Sequence, residues 1–231
     1  MKRYIVIVAG GKGLRMKTDI PKQFLCIAGK PVLMRTIEAF DRWDSNAEKI
    51  VVLPKEQFDY WNKLCQKYSF SISNLRIVPG GETRFHSVKN ALDTLPTEGI
   101  VGIHDGVRPL VPAQVIDECF DLKPGECGAI PVVPVTDSLR QIDASGSHAE
   151  DRSRFRAVQT PQVFDLRTLK AAYEKGLPTA HSFTDDASVM EAAGHHIKLV
   201  EGSSQNIKIT TPTDLLIANA IFEQNNAACQ K

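Results

Sequence analysis

Short β-branched runs recur along this chain at intervals that only a helix or a long connection fills. Tyr4–Val8, Ile50–Leu53, Leu75–Val78, Ile100–Ile103 and Ala129–Val133 are almost wholly apolar, and Gly or Pro bounds most of them. Continuous apolar runs of that length read as strands buried on both faces. Between them the apolar spacing changes to three and four. Phe58, Trp61, Leu64 or Cys65 and Tyr68 follow Pro54 in this way, and Phe85, Val88, Leu92 and Leu95 follow Thr83. That spacing is the period of an amphipathic helix. Strand–helix–strand alternation predicts an α/β fold, a Rossmann-like three-layer sandwich whose mostly parallel twisted sheet is covered by helices on both faces.

The alternation continues to the end with one interruption. Helices are expected near Leu166–Lys175, Asp185–Ala193 and Pro212–Gln224, and strands near Ile197–Val200 and Ile207–Thr210. Over about 134–157 the chain turns polar. There "SLRQI" and "RFRAV" alternate as two exposed strands, with Asp143-Ala144-Ser145-Gly146 as a turn candidate. An isolated two-stranded ribbon is marginal in water. It is therefore expected to project as a β-arm that a second subunit supports. The whole of 1–231 reads as a single domain carrying that dimerisation arm.

Composition removes several function classes. A net charge of +1 does not suit a general nucleic-acid binder, so any cationic chemistry must be local. No run approaches the ~20 apolar residues of a spanning helix, which predicts no membrane partner. Lys2 and Arg3 precede an apolar run that is too short for a signal peptide and stops at Gly10-Gly11. The five cysteines (Cys26, Cys65, Cys119, Cys127, Cys229) are odd in number and form no C-x-x-C, the usage of reduced thiols in the cytoplasm. His195-His196 lacks a suitably spaced third ligand for a metal.

The segment "VAGGKGLRMKTDIPKQF", Val8 to Phe24, carries the chemistry. It is not a Walker A loop, and Met16 stands where a dinucleotide fingerprint needs its third glycine. What remains is a glycine turn after a buried strand, where successive N–H groups can face one anion. Arg15 and Lys22 add two cations, and Pro21 stiffens the backbone just before the second.

This segment resembles the signature of nucleotidyltransferases that load a phosphorylated small molecule onto CTP. The likeness continues, in order, through "PGGETRFHSV" (79–88), "HDGVRP" (104–109), "PVTDSLR" (134–140), "DRSRFRAVQTPQ" (151–162), "TDDAS" (184–188) and "NIKIT" (206–210). Together these resemble the 2-C-methyl-D-erythritol 4-phosphate cytidylyltransferase family. The resemblance implies that Ala9, Gly10, Gly11 and Gly13 wrap the CTP triphosphate, with Arg15 and Lys22 on its phosphates. Gly81, Glu82 and Ser87 would read the cytosine. Asp105 would lie beside the ribose, the second substrate and a Mg²⁺ (or another divalent cation) held mostly by CTP phosphates. Asp105, Arg108, Ser138, Arg152, Thr160 and Lys208 would contact the polyol phosphate, with Arg15, Lys22 and Lys208 catalytic. Ser138 and Arg152 fall on the arm, so the site is expected to be completed across a homodimer.

Three other readings are open to the same residues. A ribitol-5-phosphate cytidylyltransferase shares the Gly-rich loop and "PKQF". A non-catalytic nucleotide-binding module would have no need of cations at the reacting end. A dehydrogenase lacks its third glycine. Cytidylyl transfer needs no general base, because a phosphomonoester is already anionic near neutral pH (second pKa about 6). His104, beside Asp105, is therefore not required as one.

Overall fold

The computed structural model describes residues 1–11 and 20–228, with the backbone alone for 226–228. β1 (Arg3–Val8) opens the sheet, and after it come the short pair β2 (Cys26–Ile27) and β3 (Lys30–Pro31). Then follow α1 (Val32–Trp43), β4 (Glu48–Leu53), α2 (Phe58–Lys67), β5 (Leu75–Pro79), α3 (Arg84–Asp93), β6 (Ile100–Asp105) and α4 (Ala113–Phe120). The second half holds β7 (Gly128–Pro134), β8 (Leu139–Asp143), β9 (Gly146–Glu150), β10 (Arg156–Val158) and β11 (Gln162–Asp165). α5 (Leu166–Gly176), α6 (Asp186–Ala192), β12 (Lys198–Glu201) and α7 (Pro212–Ala228) complete the order.

β1 lies between β4 and β6, parallel to both, and β5 continues the parallel set beside β4. On the other side β11 joins β6 to β7 and runs antiparallel to each, while β10 is antiparallel to β7 and β12 parallel to it. The expected three-layer sandwich is therefore present, and among the described residues the sheet has eight strands, two of them reversed in an otherwise parallel order.

The all-apolar character of β1 has a direct cause. Tyr4 and Val6 enter a core closed by α3, α5 and α6, whereas Ile5 and Ile7 enter one closed by α1, α2 and α4. Side chains alternate across a strand, so only a strand covered on both faces is apolar at every position. Side-chain oxygens set the starts of three helices. Thr83 Oγ1 accepts the N–H of His86 at α3, Asp165 accepts that of Thr168 at α5, and Asp185 forms a capping box with Ser188 at α6. A smaller cluster of Ile27, Val32, Val107, Leu110, Ile209 and Ala218 anchors α7 to β2, the start of α1 and the loop after β6. No described helix is long and apolar enough to cross a membrane.

Two expectations need correction. The arm is a hairpin of β8 and β9 turning at Asp143 and Gly146, but "RFRAV" is not its second strand. Arg156–Val158 instead pairs with β7 in the main sheet. β9 reads Gly-Ser-His-Ala-Glu, has no apolar alternation, and is exposed along nearly all its length, so pattern could not show it. The second correction concerns Ile207–Thr210, which forms no strand. It has no regular secondary structure and is held by the Ile209 N–H, which donates to the Val107 carbonyl at 2.9 Å. The pattern also left α1, α4 and β11 unassigned.

Candidate active site

Parallel strands end on one edge, and in open α/β sheets that edge carries the ligand site. Val8 and Asp105 are register partners at the ends of β1 and β6. Beyond β1 the turn is fixed by the Ala9 N–H donating to Val52 O at 2.9 Å and the Gly106 N–H donating to Val8 O at 2.8 Å. A cleft of about 370 Å³ opens there. Ala9, Gly10, Gly11 and Lys22 line it together with Gly81, Glu82, Arg84 and Ser87, and with Asp105 and Lys208.

Each wall has a local reason. The short turn Lys22–Phe24 follows Pro21, and buried Gln23 in it donates through Nε2 to Ala9 O and to Gln57 Oε1, both at 2.8 Å. Gln23 thereby ties Lys22 to the glycine turn. A Cβ built on Gly11 would lie 3.8 Å from Lys22 Cε, and one on Gly10 would meet nothing closer than 4.0 Å. Among the described residues nothing in the protein demands glycine at these two places. They leave an open cradle that a Cβ would narrow for a ligand. Gly81 differs, because a Cβ there would lie 2.5 Å from His86 Cβ. Its N–H donates to Ser87 Oγ at 3.0 Å, which folds the turn back onto α3.

Asp105 is the electrostatic centre. Arg108 Nε and Lys208 Nζ each approach its Oδ2 at 3.0 Å. Burial alone would raise its pKa, but Lys208, Arg84 and Arg108 hold the carboxyl well below the usual carboxylate range. It is an anion at every working pH. Arg108 Nη1 also donates to Asn206 O at 2.7 Å, and Asn206 Nδ2 donates to Thr160 O at 2.8 Å.

His104 completes this buried network. Its Nε2 lies 3.0 Å from the Arg108 carbonyl, which can only accept, so the ring proton sits on Nε2. Nδ1 then accepts from Thr160 Oγ1 at 3.0 Å, and the same hydroxyl accepts the Asp105 N–H at 3.1 Å. Burial pushes the imidazole down to about 4, so it is neutral. Among the described residues lining the cleft there is no histidine.

Arg84 forms the remaining wall. Its Nη2 donates to Asp186 at 2.6 Å, and that fully buried carboxylate also accepts from Tyr173 OH at 2.6 Å. Burial works against the guanidinium charge, yet Asp186 more than offsets it and the pKa is raised. Neither Gln23 nor Arg84 was singled out from the sequence. Both lie inside the quoted motifs, but an interior glutamine and a mid-motif arginine leave no periodic signal.

Nine expected site residues thus meet in one cleft: Ala9, Gly10, Gly11, Lys22, Gly81, Glu82, Ser87, Asp105 and Lys208. Arg108 and Thr160 lie buried at Asp105, with their polar atoms engaged as described. Ser138 and Arg152 are not brought to this cleft. They are exposed at the base of the arm, where Arg152 Nη1 donates to Thr136 O. Gly13 and Arg15 lie outside the described residues. Among the described residues no three His, Cys, Asp or Glu gather as a metal cage. A hard cation shared with phosphate oxygens needs only one or two carboxylates, and the ionised Asp105 fits that demand.

The model of the IspD family, described as 2-C-methyl-D-erythritol 4-phosphate cytidylyltransferase, matches residues 4–224. Curated relatives of that name from Bacteroides thetaiotaomicron and Bacteroides fragilis are 52% and 54% identical over 222 residues, which is 96% of this chain and 100% of each relative. Among solved structures, 4-diphosphocytidyl-2C-methyl-D-erythritol synthase from Anaerococcus prevotii is similar with a TM-score of 0.81 at 30% identity, covering 96% of both chains. The 2-C-methyl-D-erythritol 4-phosphate cytidylyltransferase from Thermus thermophilus gives 0.77 at 29% identity, over 96% of this chain and 98% of that one.

Proposed function

This chain belongs to the 2-C-methyl-D-erythritol 4-phosphate cytidylyltransferase family, and we infer from that membership that the cleft is where CMP passes from CTP to 2-C-methyl-D-erythritol 4-phosphate. The enzyme is a nucleotidyltransferase whose products are the CDP-methylerythritol and pyrophosphate, in the non-mevalonate route to isoprenoid precursors. A phosphate oxygen of the polyol forms a bond to the α-phosphorus of CTP, and the bond from that phosphorus to the bridging oxygen breaks. The electron pair leaves with pyrophosphate. No proton has to move, because the attacking phosphate is already anionic near neutral pH.

The barrier is therefore the repulsion between two polyanions, which preorganised donors and cations lower. The observation that supports this reading is that Lys22, Arg84 and Lys208 line one cleft with a glycine cradle and, among the described residues, no histidine. Lys22, beside Gly11, faces the triphosphate, joined by Arg15 and the N–H groups of the glycine turn, Gly13 included. Gly81, Glu82 and Ser87 receive the base. Lys208, steered by Asp105, neutralises the incoming phosphate, and Arg108 and Thr160 hold the acceptor side. Mg²⁺ would be held by Asp105 and phosphate oxygens, and when bound it supplies further charge neutralisation.

The acceptor side is completed by Ser138 and Arg152 from a second copy of the chain, whose exposed arm gives the homodimer its reason. The cysteines Cys26, Cys65, Cys119 and Cys127 are unpaired, a state suited to the cytoplasm. Pyrophosphate release tests the substrate assignment. With CTP, 2-C-methyl-D-erythritol 4-phosphate should turn over and ribitol 5-phosphate should not. The reverse preference would move the chain to the ribitol reaction.

A further inference from the structure

A second cavity, of about 480 Å³, shares no described lining residue with the cleft. Its apolar wall is the loop 109–112, Pro-Leu-Val-Pro, together with Phe222 of α7. Its charged groups are Arg35 and Arg42 of α1, and no carboxylate among the described residues lines it. The local charge is unbalanced. Glu38 accepts from both Lys30 (2.5 Å) and Arg35 (3.3 Å), so a single carboxylate serves two cations. Arg42, one turn further along α1, is exposed and makes no ion pair with a described residue. Arg35 lies with Cζ 4.5 Å from the Phe222 ring, and its Nε is buried with no hydrogen-bond partner. A buried cationic N–H without an acceptor is unfavourable. An apolar wall beside Arg42, which makes no ion pair with a described residue, and Arg35, which shares its carboxylate with Lys30, is complementary to a molecule with an apolar body and an anionic head.

The cavity adjoins the catalytic network through the backbone. Loop 109–112 begins directly after Arg108. Gln205, which also lines the cavity, precedes Asn206, whose carbonyl accepts from Arg108 Nη1 at 2.7 Å. The residues directly following Arg108 and directly preceding Asn206 therefore form part of the cavity wall.

We propose that this cavity is a second ligand site, for a small amphiphilic anion with a phosphate or carboxylate head, and that its occupancy acts on the cleft through loop 109–112 and Gln205. Calorimetry on the full chain without nucleotide tests it, with octyl phosphate, octanoate and neutral octanol as probes. The two anions should bind at one site, the tighter assigning the head group, and octanol at least tenfold more weakly. Arg42→Gln, a change at an exposed residue outside the cleft, should weaken both anions at least tenfold. Amide shifts should centre on Leu110, Val111, Gln205 and Asn225. Saturating octyl phosphate should change kcat or KM for the polyol phosphate in the wild type and not in Arg42→Gln. Equal binding of octanol, indifference to Arg42→Gln, or shifts centred on Gly10 and Gly81 would each overturn the site. Binding with unchanged kinetics would overturn the coupling. The binding arms do not rely on cytidylyl transfer, so their failure is separable from a failure of that reading.

Discussion

Lys22 and His104 show what single residues contribute here. Lys22 stands in the cleft beside Gly11 while buried Gln23 anchors the same turn. In the proposed reaction its charge matters most as pyrophosphate departs. Lys22→Ala should therefore lower kcat on the order of 10²–10³-fold, with a smaller change in the KM for CTP. Steady-state kinetics at saturating Mg²⁺ check this, and near-normal turnover would remove Lys22 from the mechanism. His104 contributes through its neutrality. Its folded pKa of about 4 lies below the unfolded value near 6.5. Between those pH values the unfolded chain binds more protons, so stability falls as the pH drops. That loss is on the order of 3 kcal/mol by pH 4. Asp105, held below the usual carboxylate range, loses most of its own contribution below about pH 4. Urea unfolding of His104→Gln across this window should give a flatter profile than the wild type, and parallel profiles would contradict the assignment.

At the scale of elements, the arm is the segment that the rest of the chain supports least. Among the described residues β8 and β9 pair only with each other, and Ile142 near the turn is 82% exposed. A ribbon of this kind gains little stability alone, and a second subunit is the cover that the homodimer reading supplies. Deleting 143–147 should leave the monomer fold intact, shift sedimentation toward the monomer, and raise the KM for the polyol phosphate more than that for CTP. An unchanged assembly would show that the arm is not the dimer contact. Elsewhere the elements are heavily determined. Thr83, Asp165 and Asp185 cap three helices on one face of the sheet, and each such cap is worth about 1 kcal/mol.

Over the whole molecule, charge is nearly balanced at +1, yet the cleft gathers Lys22, Arg84 and Lys208 around one ionised aspartate. Attraction of CTP is therefore local rather than global, and exposed charges are screened over about 10 Å at 0.1 M salt. The value of kcat/KM for CTP should fall severalfold between low and moderate ionic strength, with a shallower slope in Lys22→Met. An identical slope in the variant would show that Lys22 takes no part in that attraction.

The apolar runs, their lengths and the helical spacing between them determined the α/β layers, because a strand covered on both faces must be apolar throughout, as Tyr4–Ile7 is. Gly10 and Gly11 were legible too, since they follow that strand directly, and so was Lys22 behind Pro21 in the same loop, whereas Lys208 was raised by the family resemblance alone. Tertiary structure alone decided how distant polar residues meet. Gln23 reaches Ala9, Arg84 reaches Asp186, and His104 joins Thr160 and Arg108. It also decided that Arg156–Val158 belongs to the main sheet and not to the arm. The physical reason is common to all of these. Burial of apolar side chains leaves a periodic record along the chain, whereas a hydrogen bond between residues far apart in sequence leaves none.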